Sequence, residues 1–148
     1  MEKFKIEHFE NDHPGKKFPW FRTLQSSEAE KFKQSFSSRL SLDANTTSEN
    51  LVRIILEKSN FIETIQADSE HFSISKLLNS IGVFPMNNIC LNWYRFDEID
   101  ELYFDDLDKY FDDIWYPGPD DIDIFDQTLS WILTILHDGS VKFLQIEK

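Results

Sequence analysis

Two spacings of apolar residues run along this chain, one alternating and one helical. Phe4, Ile6 and His8 alternate with Lys3, Lys5 and Glu7, which predicts a short strand ended by the turn residues Asp12-His13-Pro14-Gly15. The spacing Ser27-x-x-Glu30, followed by Ala29, Phe32, Phe36 and Leu40, predicts a helix to about Arg39. Thr46-x-x-Glu49 opens a second, carrying Leu51, Ile54, Ile55 and Lys58 and stopped at Ser59-Asn60. Phe61 to Ala67 alternates imperfectly as a strand, and Ser73 to Ser80 reads as a short helix closed by Gly82 and Pro85.

From Ile89 to Tyr94 the period is again two, so a strand leads into the most acidic stretch of the chain. Placed on a helix at about 100° per residue, residues 97 to 115 gather Ile99, Leu102, Tyr103, Leu107, Tyr110, Phe111 and Ile114 on one arc. The opposite arc is a ladder of carboxylates, either on one helix or on two with Asp105 as the second N-cap. Trp115 to Asp121 reads as a stiff turn and Ile122 to Phe125 as a strand. Trp131 to Leu136 and Val141 to Ile146 flank His137-Asp138-Gly139-Ser140, the signature of a tight hairpin. Helices first and strands mostly last predict a single α+β domain over residues 1–148, with helices packed on one face of an antiparallel sheet and a C-terminal β-hairpin.

Charge singles out one segment. Between Arg95 and Asp126 there are 13 acidic residues against Arg95 and Lys109, so nearly all of the formal net charge of −12 is local. Tyr103-Phe104-Asp105-Asp106-Leu107 is echoed seven residues later by Tyr110-Phe111-Asp112-Asp113-Ile114, and this density of aromatics separates the segment from a solvating acidic tail. A polyanionic surface argues against nucleic acid and anionic membranes as partners and for a basic protein. The charged N-terminus lacks a secretory leader and no apolar run reaches the roughly 20 residues of a membrane helix, so a cytoplasmic location is expected. Cys90, the single cysteine, fits a reducing compartment as a buried bystander.

Catalytic signals are weak. His8, His13, His71 and His137 have no metalloprotease spacing, and the four glycines form no phosphate loop. Asp120-Asp121-x-Asp123 and Asp105-Asp106-x-Asp108 offer oxygens to a hard cation, but Phe125 stands where a calcium loop needs its third ligand. No metal or other cofactor is therefore assigned.

The run Trp115-Tyr116-Pro117, Asp120-Asp121-Ile122-x-Ile124-Phe125-Asp126 and Trp131-Ile132-Leu133-x-Ile135-x-His137-x-Gly139 resembles a family of small acidic bacterial proteins of no assigned activity. Its general look is similar to immunity proteins, which implies a toxin or nuclease as partner. The leading expectation is a non-enzymatic binding protein whose acids Asp105, Asp106, Asp112, Asp113, Asp120 and Asp121 meet a basic surface, with Trp115 and Tyr116 as anchors. The alternatives are a metal-dependent hydrolase-type enzyme using the Asp-rich turn and a scaffold that self-associates through its sheet.

Overall fold

The computed structural model describes residues 1–147, apart from the side chain of Tyr94. Its elements run α1 (Lys3–Asp12), β1 (Phe21–Thr23), α2 (Ser26–Arg39), α3 (Ser48–Lys58), β2 (Asn60–Gln66), α4 (Ile74–Ser80), β3 (Asn88–Tyr94), β4 (Glu98–Tyr103), α5 (Phe104–Lys109), α6 (Phe111–Ile114), β5 (Ile122–Phe125), β6 (Trp131–Ile135) and β7 (Ser140–Gln145). The seven strands form one antiparallel sheet in the order β1-β4-β3-β5-β6-β7-β2. The fold class is α+β, as the pattern of elements predicts. Among the described residues no helix is long and apolar enough to cross a membrane.

Strand pleating divides the core into two layers, because successive side chains leave a strand on opposite faces. Ile89, Leu91, Ile122, Ile124, Leu133 and Ile135 enter one cluster, with Leu77 and Leu78 of α4, Leu107 of α5 and Ile114 of α6. Cys90, Ile99, Phe125 and Ile132 enter the other, with Phe36 of α2 and Leu51 and Ile55 of α3. The helices thus divide between both faces, which corrects the expectation that they gather on one. The central strands leave no choice: β5 and β6 are buried along their whole length, so each face needs a cover.

Two segments differ from their predicted form. Residues 3–12 are a helix, because Lys5, which the alternating pattern counts as polar and outward, is buried with Phe9 four residues on. Positions four apart share a helix face. Residues 98–103 are β4, paired with β3 through Asn92↔Ile99 and Leu91↔Asp100, so the long acidic helix does not exist. The turn between the strands places Arg95 and Phe96 at φ 50° and 60° without glycine or asparagine to announce it. Asn92 offsets that strain, its Oδ1 accepting the Phe96 N–H at 2.8 Å, and the Phe96 ring is buried against Phe36.

The seven-residue echo encodes the two short helices that follow. Phe104-Asp105-Asp106 and Phe111-Asp112-Asp113 each open one, with Tyr103 and Tyr110 at the caps. Asp105 is therefore a first-turn residue and not an N-cap. Carboxylates in the first turn face the positive end of the helix dipole, which accounts for Asp where a long helix would favour Glu.

At the C-terminal hairpin β6 and β7 pair from Trp131↔Gln145 to Ile135↔Val141. Gly139 has φ 89°, and a Cβ there would lie 2.7 Å from the Asp68 carboxylate, so only glycine fits the turn.

Candidate functional site

The residues singled out by sequence fall into three settings. Asp105 and Asp112 are exposed and Asp106 and Asp113 half-buried, on consecutive helices. Asp113 Oδ2 lies 3.0 Å from His13 Nε2. These four form the presented part of the predicted ladder.

Trp115 and Asp120 belong to the interior, which removes them from the expected partner surface. Trp115 is 2% exposed, stacks on Phe111, and donates its indole N–H to the Asp120 carbonyl at 2.9 Å. The Asp120 carboxylate receives the Lys5 ammonium and, at 2.8 Å, the Tyr116 N–H. Lys5 also donates to the Ile114 carbonyl at 2.6 Å and lies 4.4 Å from the Tyr116 ring and 4.6 Å from the Trp93 ring. Its charge is thus consumed by one carboxylate, one carbonyl and two aromatic faces.

Tyr116 and Asp121 occupy the third setting, at the surface but already engaged. The Tyr116 hydroxyl lies 3.4 Å from His8 Nδ1, and burial pushes its phenol above the ordinary value. Asp121 accepts the His137 N–H at 2.6 Å and faces His137 Nδ1 at 2.9 Å. Asp120, Asp121 and Asp123 therefore point to different partners, and among the described residues no group of three or more His, Cys, Asp or Glu is placed to hold a metal. Burial pushes the Cys90 thiol up to about 12, so it stays protonated and unreactive at neutral pH.

Two features lie outside the residues predicted from sequence. The first is an apolar edge beside the acids. Phe84 is 80% exposed, and Met86, Tyr103 and Trp20 are also exposed, with the Trp20 and Tyr103 rings 4.9 Å apart. Phe84, Met86 and Tyr103 share with Asp105 a groove of about 500 Å³. Its backbone is braced: buried Asp126 accepts the Met86 N–H at 3.0 Å, and Phe104 N donates to the Asn87 carbonyl at 2.8 Å. The sequence signal was Phe84-Pro85-Met86, an apolar run at a turn where polar residues are usual.

The second is a polar row in the middle of the sheet. Asn92, Asp123 and Thr134 are cross-strand neighbours on β3, β5 and β6, and Asp123 and Thr134 are each the polar exception in an apolar strand. Asn92 Nδ2 donates to Asp123 Oδ2 at 2.9 Å and the Thr134 hydroxyl donates to Asp123 Oδ1 at 2.7 Å. They floor a cleft of about 410 Å³ that Val52 and Leu56 of α3 flank. Burial pushes the Asp123 carboxyl above its ordinary range, against the two hydrogen bonds that favour the anion.

Comparison with known proteins finds no family model, no curated protein and no solved structure that matches this chain.

Proposed function

We propose that this is a non-enzymatic binding protein that docks a basic protein on the edge formed by Trp20, Phe84, Met86 and Tyr103 with Asp105 and Asp106. The observation that carries the reading is the contiguity of large exposed apolar side chains with a first-turn Asp pair on a braced backbone. Stable interfaces combine a few aromatic anchors with complementary charge, the anchors giving affinity and the charge giving approach rate and selectivity. Asp112, Asp113 and the exposed Asp121 widen the attractive field. Tyr116 contributes at most a rim contact, and the same field repels nucleic acid and anionic lipid.

Within that class, neutralisation of a basic toxin or nuclease in the cytoplasm is the reading we favour, since the C-terminal resemblance and the acidic face both support it. A pull-down from lysate of the source organism tests the proposal, comparing wild type with two variants. One carries Asp105→Asn, Asp106→Asn, Asp112→Asn and Asp113→Asn; the other Phe84→Ser and Tyr103→Ser. A basic protein retained by wild type and lost from both is the expected result. Equal recovery on all three baits refutes it.

A further inference from the structure

We propose that the groove between residues 84–86 and the start of α5 receives an arginine side chain of the partner protein, its guanidinium lying against the Tyr103 ring with Asp105 as counter-ion. This inference rests on the docking edge proposed above and says which basic side chain that edge selects.

The walls of the groove combine three kinds of surface. Phe84 and Met86 supply apolar area, Tyr103 an aromatic ring, and Asn88 and Asp105 oxygen acceptors. Among the described residues that line it, Asp105 alone is charged at neutral pH. The nearby Glu101 is already held by Arg22 at 2.9 Å and by the Asn88 amide at 2.7 Å, so the attraction of the groove for a cation comes from Asp105. Because Asn88 spends an amide N–H on Glu101, its oxygen is left as an acceptor. Tyr103 remains 45% exposed although Trp20 leans against it with ring centroids 4.9 Å apart, so the ring is held in place without being covered. Such a ring attracts a cation through its quadrupole, and arginine meets aromatic faces more often than lysine does.

The same set of groups discriminates between the two basic side chains. A guanidinium is flat, weakly hydrated and carries its N–H donors in a fork, so it can lie along a ring and still give a carboxylate two hydrogen bonds. A lysine ammonium is a compact, strongly hydrated charge that gives up more water on entering an apolar groove. The aliphatic stem of arginine covers surface that Phe84 and Met86 leave exposed. A volume of about 500 Å³ is in the range of small-molecule sites, ample for one side chain. Both sides of the groove are pinned, Met86 through Asp126 and Asn87 through the Phe104 N–H. Its shape is therefore set before a partner arrives, which lowers the cost of docking.

The test titrates the full chain with N-acetyl-glycyl-arginyl-glycinamide and its lysyl counterpart at matched ionic strength, following the Trp20 indole N–H and the Met86 methyl by NMR. The expected result is saturable shifts at both groups, with the arginine peptide binding at least about threefold tighter than the lysine peptide. Tyr103→Leu keeps an apolar wall, removes the ring, and should bring the two peptides to equal affinity. Asp105→Asn, at an exposed position, should weaken the arginine peptide about threefold. Equal affinities in wild type overturn arginine selection and leave the docking edge standing. No saturable shift at Trp20 or Met86, an unchanged preference in Tyr103→Leu, or unchanged affinity in Asp105→Asn overturns the site. Should Tyr103→Leu fail to fold, the Asp105→Asn result decides. Capture of a basic protein in the pull-down does not depend on which basic side chain enters the groove, so failure of this inference and failure of the docking edge are read apart.

Discussion

Asp120 and Asp123 are three residues apart and both buried, yet the molecule treats them oppositely. Around Asp120 the chain has assembled a full charge complement: the Lys5 ammonium, two aromatic faces over that ammonium and the Tyr116 N–H. Around Asp123 the hydrogen-bond partners are dipoles, the Asn92 amide and the Thr134 hydroxyl. The first arrangement fastens α1 to the turn after α6 and is complete within the chain. The second is a clamped carboxylate beside a cleft. A run of aspartates in a sequence is therefore not one kind of feature, and what separates these two is the kind of hydrogen-bond partner that folding brings to each carboxylate.

Removing the cation should break this contrast most strongly. Lys5→Met leaves Asp120 buried and unpaired, and unfolding in urea should show a loss of about 3–5 kcal/mol. Adding Asp120→Asn should recover part of that loss. An unchanged midpoint in the single variant would mean that α1 is not fastened by this pair.

The Asp123 carboxyl sharpens the other side. Its folded-state pKa is raised above the ordinary value of 3.8, so the native state holds this proton more tightly than the unfolded chain. That contribution to stability is full below the ordinary value and is lost as pH rises through the raised one. Relative to wild type, Asp123→Asn should therefore gain stability towards neutral pH, and the difference should shrink on acidification. Urea midpoints measured across that window would show it, and a constant difference would contradict it.

Smaller effects are expected at the surface. Phe84→Ser should change folding stability by no more than about 0.5 kcal/mol while costing roughly 2 kcal/mol of partner affinity as a central anchor. Each of Asp105→Asn and Asp112→Asn should fall within about 0.5 kcal/mol in stability. Together they should act mainly on the association rate, which should lose its salt dependence in stopped-flow measurements.

Much of the architecture is legible in the sequence, and the failures have identifiable causes. The helical spacings of α2, α3 and α4 and the Asp-Gly turn are local signals that tertiary structure reinforced, although the caps fall at Gln25 and Thr47 and not at Ser27 and Thr46. The N-terminal helix was missed because Lys5 faces inward, which is intelligible only once Asp120 is known to meet it. The strand at Glu98–Tyr103 was hidden by a turn whose positive φ angles fall on Arg95 and Phe96 and are supported by Asn92, a contact no local pattern displays. The four helix aspartates stand out in the sequence because charge density is a sequence property, and folding leaves them exposed or half-buried. Trp115 and Asp120 were misplaced because burial is not one, and the exposed Phe84 edge and the Asn92-Asp123-Thr134 row arise only when separate strands come together.

The strand order also has a consequence during synthesis. β2 leaves α3 early in the chain, yet its sole sheet neighbour is the last strand, with Phe61 opposite Lys142. As the chain emerges from the ribosome, a β-prone stretch containing Phe61, Ile62 and Ile65 must wait, unpaired, while β3, β4, β5 and β6 are made. Non-local pairings of this kind slow folding and leave adhesive edges open to other chains. Completion of the sheet thus waits for β7, and a nascent chain stalled before β7 is the form of this protein most exposed to aggregation and to chaperones.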